Sequence, residues 1–305
     1  MVSIVTKKIN GNEYLYLVDS IRKKDKVIQK TIKYIGKKRA VPKEEFECMK
    51  YSYKEEDWIL VDFKDELSYK KHEEMKKLSA EQKKYLDSLD EVSVEKSKER
   101  FLSVFIANSN EIEGSTMTPG ETFNYLFADA VPNNHTKKEL YMASNMLKAW
   151  TYVENNKDSL PNENALLMLH ALVNEDIESD ETLGKYKKAQ NYAGDELTTS
   201  FLFVEERMKQ LLKWIKKAFK SMNEFEIAFQ SHSQFEIIHP FIDGNGRVGR
   251  LLLNWLLMNK DLMPLAIRAT RKSSYITALN NSKRGKKEAI CKFCYEEYIK
   301  QYEFA

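Results

Sequence analysis

Only three cysteines occur in 305 residues, Cys48, Cys291 and Cys294, too few and too unevenly placed for a disulfide framework. Cys291-Lys-Phe-Cys294 is a single Cys-x-x-Cys without a second pair, and it reads as two thiols on a packed helix, not as a zinc or redox site. No low-complexity stretch or internal repeat stands out. No apolar run approaches the roughly 18 residues of a membrane span, and Met1 to Asn10 lacks the hydrophobic core of a signal peptide. No membrane partner is therefore expected, and the expected location is cytoplasmic. Arginine is scarce among the cations, nine residues against forty lysines. The remainder is ordinary for a soluble globular protein, 42% hydrophobic and 31% charged. The length suits one well-buried domain plus an appendage.

The net charge of +3 is unevenly spread. Residues 1–40 hold eleven Lys and Arg against Glu13, Asp19 and Asp25, a balance of +8, so the rest of the chain carries −5. That asymmetry suggests two modules. The first reads as a small β-meander with strands at 2–9, 12–19 and 26–35, a hairpin turn at Asn10-Gly11-Asn12 and a second turn at Lys23, Lys24 and Asp25. Gly36 to Pro42 ends it with linker chemistry. Such a sheet cannot bury much core alone and is expected to dock on the residues C-terminal to it. Residues 41–95 read as a helical linker region marked by Leu78, Leu86 and Leu89, and 96–305 as the main helical domain. Thr118-Pro119-Gly120-Glu121 has the spacing of a capping box with Pro at the first helical position. Further helices are expected at 137–155, 161–174, 203–220, 223–238, 246–259 and 287–304.

The densest chemistry lies at 239–250, His-Pro-Phe-Ile-Asp-Gly-Asn-Gly-Arg-Val-Gly-Arg. A glycine-rich turn that opens a helix offers unpaired backbone N–H groups to an anion at the positive end of the helix dipole. The apolar run Leu251, Leu252, Leu253, Trp255, Leu256, Leu257 comes directly after it, so the helix is expected to be buried. Two of the nine arginines, Arg247 and Arg250, fall here, where planar forks serve a phosphate better than point charges. His239 is the candidate base, with an ordinary pKa near neutrality. Asp243 is a hard oxygen ligand suited to Mg²⁺.

His239, Pro240, Phe241, Asp243, Gly244, Asn245, Gly246, Arg247 and Arg250 fill the signature His-Pro-Phe-x-(Asp/Glu)-Gly-Asn-Gly-Arg-x-x-Arg, and the chain thereby resembles Fic-domain proteins. That resemblance implies a mainly α fold, a Fic-type helical bundle with a β-hairpin flap, here preceded by the meander. It also implies a protein adenylyltransferase that moves AMP from ATP to a hydroxyl of a target protein, with Mg²⁺ as cofactor. In that role His239 is the base, Asp243 holds the metal, and Gly244, Asn245 and Gly246 line the anion hole with the Asn245 amide on the α-phosphate. Arg247 and Arg250 grip the β- and γ-phosphates, Phe241 anchors the loop in the core, and Tyr275, flanked by Arg271 and Leu279, borders the nucleotide. His232 and Glu236 are read as capping and packing residues.

Two further stretches carry the resemblance. Gly184, Tyr186 and Lys187 are similar to the first leg of the flap, within 183–201, where Gly184 and Gly194 bracket a strand-like segment; the family usually has Arg where Lys187 stands. Ser109-Asn-Glu-Ile-Glu113-Gly114 fills the second family signature, (Ser/Thr)-x-x-x-Glu-(Gly/Asn), of an inhibitory helix, here about 98–114. Ser109 and Glu113 share a helix face, and Gly114 suits the left-handed end of the helix. A Glu113 carboxylate delivered to Arg250 would withdraw that arginine from the γ-phosphate. Three functions stand as expectations: an adenylyltransferase restrained by Glu113, acting on an unidentified protein that includes itself; a hydrolase that removes AMP with Glu113 orienting water; or a nucleic-acid-associated regulator using the basic residues 1–40. A homodimer is compatible with all three.

Overall fold

The structure, a computed structural model, describes residues 1–23, 26–54, 63–193 and 196–303. Three antiparallel strands come first, β1 (Val2–Ile9), β2 (Asn12–Lys23) and β3 (Lys26–Lys37), adjacent in sequence order. Asn10 (φ 49°) and Gly11 (φ 81°) make the first turn in the left-handed region that Asn-Gly tolerates. β2 runs past the expected 12–19 because Ser20 to Lys23 continue to pair with Gln29 to Lys26. The expected second turn at Lys23, Lys24 and Asp25 lies partly outside the described residues.

One face of this sheet buries Leu15, Leu17 and Ile35, which it cannot cover by itself. Met49 of α1 (Lys43–Lys54) and Phe203 from far along the chain complete that small core. Hydrogen bonds between side chain and backbone secure the seam: Ser52 Oγ accepts the Ser200 N–H at 2.7 Å, and Arg207 Nη2 donates to the Ser52 carbonyl at 2.8 Å. Lys38 pairs with Glu13 at 2.9 Å inside the meander, and Lys33 pairs with Glu206 of the helical body at 2.8 Å, so one charge of the positive excess is met by the rest of the chain.

The helical body comprises α2 (Tyr69–Asp87), α3 (Glu91–Ile112), α4 (Pro119–Phe127), α5 (Lys137–Asn156) and α6 (Glu163–Asn174). A two-stranded hairpin comes next, β4 (Tyr192–Ala193) with β5 (Glu196–Leu197), and then α7 (Val204–Ala218), α8 (Glu224–Ile238), α9 (Asn245–Asn259), α10 (Lys272–Lys283) and α11 (Glu288–Tyr302). Gly194 lies outside the described residues. Capping chemistry sets several helix starts. Thr118 and Glu121 form the full capping box expected for α4, and Thr136 and Glu139 form a second for α5.

Every residue of α8 except Glu224 and Glu236 is buried, so this helix has no solvent face and runs through the centre of the body. The Leu251 to Leu257 stretch of α9 is buried as its apolar run predicts, and α9 packs beside α8. Removing one such leucine side chain would cost about 2–5 kcal/mol. Glu226 on α8 accepts the N–H groups of Glu66 (2.9 Å) and Leu67 (2.6 Å), which binds the segment before α2 to the core. The described part of residues 41–95 thus contributes α1 to the meander's core and α2 to the flank of α11. Cys48, Cys291 and Cys294 are free and buried, and burial pushes all three thiols up. Among the described residues no helix is long and apolar enough to cross a membrane.

Candidate active site

The loop between α8 and α9 is shaped by its own sequence. Pro240 disfavours α geometry at the residue before it, so α8 stops at His239. His239 takes a left-handed conformation (φ 51°, ψ 61°), and its N–H donates to the Phe235 carbonyl at 2.9 Å. Phe241 is fully buried, with its ring stacked on His170 of α6 (3.9 Å, 17°) and on Tyr186 (5.8 Å). Phe241 therefore anchors the loop. Asn245 clamps the backbone of that same residue: its Oδ1 accepts the Phe241 N–H at 2.8 Å and its Nδ2 donates to the Phe241 carbonyl at 2.9 Å. This amide, which the resemblance assigns to the α-phosphate, is engaged inside the loop and shapes it. Gly244 begins α9 with φ 74°, and a Cβ there would come within 2.5 Å of Asn174 Nδ2. Only glycine suits both the dihedral and the space.

A cleft of about 490 Å³ opens above this loop. His239, Asp243, Gly246, Arg250 and Tyr275 line it, with Glu113 of the α3 terminus and Tyr192, Leu197 and Thr198 of the hairpin at its edges. Burial, with Lys187 nearby, pushes His239 down to about 4, so its imidazole is neutral at physiological pH and able to accept a proton. Its Nδ1 is buried without a hydrogen-bond partner among the described residues. Asp243 Oδ1 accepts the Gly244 N–H at 2.7 Å, and the side chain remains 55% exposed.

Arg250 is buried beneath the cleft and already held. Its Nε donates to Ser109 Oγ at 2.8 Å, and its Nη2 donates to the Ser109 carbonyl at 2.8 Å and to Glu113 Oε1 at 2.7 Å. Burial acts to lower the guanidinium, but the surrounding groups that raise it, led by the facing Glu113 carboxylate, together hold Arg250 above its ordinary value. Gly114 (φ 102°) ends α3 immediately after Glu113. Ser109 and Glu113 of the second signature thus meet the last arginine of the loop in space.

Arg247 points elsewhere. It is buried and does not line the cleft; Nη1 donates to the Val173 carbonyl at 2.8 Å and Nη2 to Asn174 Oδ1 at 2.7 Å. Its fork fixes the C-terminal end of α6 against α9, where the resemblance assigns it a phosphate. Tyr275 does line the cleft. It is buried, and its hydroxyl lies 2.8 Å from His232 Nε2.

The residues expected at the entry of a flap precede the β4–β5 hairpin and divide by task. Gly184 (φ 63°) packs on α6, where a Cβ would sit 3.2 Å from the Leu167 carbonyl, and its N–H donates to His170 Nδ1 at 3.0 Å. The Lys187 N–H donates to the Pro240 carbonyl at 2.9 Å. Its ammonium, pushed down to about 7 by burial, donates to Asn191 Oδ1 (2.5 Å) and Thr198 Oγ1 (2.9 Å). Asn191 in turn donates to the Phe241 carbonyl at 2.6 Å, so the hairpin base and the His239 loop form one hydrogen-bonded unit.

Glu236 belongs to the site although the sequence reads it as packing. It lines the cleft, its Oε1 is buried without a hydrogen-bond partner among the described residues, and burial pushes it up to about 8. His232, 4.0 Å away, is pushed down to about 3 by burial, so at neutral pH Glu236 holds a proton and His232 does not. His170 and Asn174, which carry Phe241 and Arg247, are likewise visible in the sequence only as the face of a helix.

A sequence model of the Fic/DOC family matches residues 160–257. Among curated relatives, the protein adenylyltransferase Fic of Nematostella vectensis is 32% identical over 123 residues, covering 39% of this chain and 29% of that protein. The protein adenylyltransferase fic-1 of Caenorhabditis elegans is 25% identical over 190 residues, 60% of this chain and 37% of its own length. The chain thus spans well under half of these relatives. Two solved structures share the fold. C. elegans Fic-1 aligns with TM-score 0.67 at 20% identity, covering 77% of this chain and 70% of that one. A Fic domain containing signaling protein from Bacteroides thetaiotaomicron aligns with TM-score 0.67 at 22% identity, covering 75% and 95%.

Proposed function

Because the chain is a Fic-domain protein, with a Fic/DOC-family domain over residues 160–257, we propose that it transfers AMP from ATP to a hydroxyl side chain of a protein, itself included, and that Glu113 restrains the reaction. The observation that carries this reading is the convergence of neutral His239, the first turn of α9 and the Glu113-bound Arg250 on one cleft. The hydroxyl oxygen attacks the α-phosphorus, its proton passes to His239, and the bond to pyrophosphate breaks. Backbone N–H groups of the first turn of α9 stabilise charge on the phosphate oxygens. Tyr275, Ile276 and Leu279 give the base an apolar wall. The β4–β5 hairpin offers main-chain groups to an extended target peptide beside His239.

Asp243 fits a Mg²⁺ ion: it is a half-exposed carboxylate at the mouth of the cleft. Among the described residues no three His, Cys, Asp or Glu side chains converge, so the ion would rest on Asp243, water and phosphate oxygens, as Mg²⁺ commonly does. When bound it would neutralise charge on the phosphates. A second reading, removal of AMP from a modified protein, is favoured by the Glu113 side chain remaining 32% exposed within reach of the cleft, where it could orient water.

Incubation with α-labelled ATP tests the proposal. Label should appear on protein, more on the Glu113→Gly variant, and vanish with His239→Ala or with EDTA. No label on protein under any of these conditions would refute adenylyl transfer.

A further inference from the structure

A second cavity is larger than the catalytic cleft. A space of about 750 Å³ lies along the N-terminal part of α3 and shares no lining residue with the cleft. That volume is of the size that takes a drug-sized ligand. Part of its wall is apolar, formed by Leu86, Phe101, Val104, Trp150, Leu262 and Met263. Phe101 and Trp150 form a tilted aromatic pair at 5.5 Å, and the buried Trp150 indole N–H has no acceptor among the described residues.

The charges around these walls are unbalanced. Six cations and three carboxylates line the cavity. Lys98 pairs with Glu154 at 2.8 Å, Arg268 with Glu297 at 2.6 Å, and Lys83 with Asp261. Arg100, Lys157 and Lys300 have no carboxylate partner among the described residues, so the lining carries three cations in excess. An uncharged ligand would leave those cations unused. A polyphosphate would set most of its surface against hydrocarbon. An apolar body with one negative head uses both parts of the lining.

We propose that this cavity is a binding site for a small amphipathic carboxylate. Its apolar body lies against Phe101 and Trp150, and its head group lies among Arg100, Lys157 and Lys300. The site is independent of the catalytic reading, although its α3 wall is the helix whose far end delivers Ser109 and Glu113 to Arg250.

Titration of the full chain with 1-anilinonaphthalene-8-sulfonate, followed by dye fluorescence, tests it. Saturable binding of one dye per chain is expected, displaced by decanoate but not by ATP or by decylamine, which has the same apolar body and the opposite charge. Val104→Trp fills the cavity from a partly exposed position, and Lys300→Glu reverses one unpaired cation. Each should weaken dye binding by about tenfold or more with the far-UV circular dichroism unchanged; the surface change at Lys300 serves even if the bulky one disturbs folding. Displacement by ATP, equal displacement by decylamine, or unchanged affinity in both variants would overturn the proposal.

Discussion

The carboxylate of Glu113 lies directly over Gly246: a Cβ on that glycine would come within 2.2 Å of Glu113 Oε1 and 2.9 Å of Arg250 Nη1. Glu113 therefore occupies the approach that an anion would take to the first turn of α9, and it holds the arginine that the anion would need. Two negative groups cannot share that space without a large Coulomb cost.

Glu113→Gly should accordingly raise auto-AMPylation by about 10²-fold, the scale at which a misplaced reacting group affects rate. Gly246→Ala should not reproduce the gain, because its methyl group displaces Glu113 and fills the same space. Label transfer from α-labelled ATP distinguishes the two. If Glu113→Gly leaves transfer unchanged and instead abolishes hydrolysis of an AMPylated protein, Glu113 is a water-positioning residue and the brake is refuted.

His239→Ala should abolish AMP transfer while ATP binding, followed by calorimetry, persists, because the base acts on the hydroxyl. Since burial pushes His239 down to about 4, the rate in the wild type should stay flat with respect to this group from pH 8 to about 5 and fall only as the pH nears 4. The same shift has a stability consequence. Below pH 6.5 the unfolded chain takes up the proton that the folded chain refuses, so this contribution to stability is lost as the pH falls through about 4. His170, also pushed down to about 4 by burial, acts in the same direction.

Glu236 has the opposite sign. Its folded value, pushed up to about 8 by burial, exceeds the unfolded one, so its contribution is fully present below pH 4.5 and is lost as the pH rises through about 8. Glu236→Gln keeps the shape and removes the titration. The Tm of the variant should fall less than that of the wild type between pH 6 and 9. Parallel Tm curves would mean that Glu236 is already ionised in the folded protein.

Arg247→Lys should destabilise more than it impairs nucleotide binding. A lysine cannot bond the Val173 carbonyl and Asn174 Oδ1 in the same fork. A buried acceptor left without its donor costs about 1–3 kcal/mol. A lowered Tm with the KM for ATP changed less than in Arg250→Lys is the expected result. The reverse order would restore Arg247 to the phosphates.

For nucleic acid, reversing the exposed Lys26 and Lys30 together to Glu should reduce retention on immobilised DNA or RNA at low salt. Equal retention of variant and wild type removes residues 1–40 as a nucleic-acid surface.

Much of this fold is written locally. Thr118 with Glu121 announces α4, Asn10-Gly11 announces the hairpin, and the run after Gly246 announces a buried helix. The loop at 239–250 is legible because its residues act within twelve positions of one another. Other roles depend on distant neighbours. Nothing around Arg247 reveals that the end of α6 will take both arms of its guanidinium. Glu236 lies on a helix that is buried nearly all round and carries polar residues on every side, so no periodicity separates the side facing the cleft from the side facing the core. Asn245 reads as an anion ligand by its place in the motif, and only the position of the Phe241 backbone shows that its amide is already engaged.

The seam between α1 and the start of α7 with the segment before it also bears on the order of assembly. Its two hydrogen bonds join residues 148 and 155 positions apart, and closing a loop of that length must precede any gain from the contact. The helical body is built mostly from neighbouring helices and can form earlier. An intermediate with the His239 loop formed and the meander not yet docked is therefore the expected late species in refolding. In that species the chain just beyond the β4–β5 hairpin lacks its anchor at Phe203, so the hairpin edge of the cleft matures after the 239–250 loop beside it.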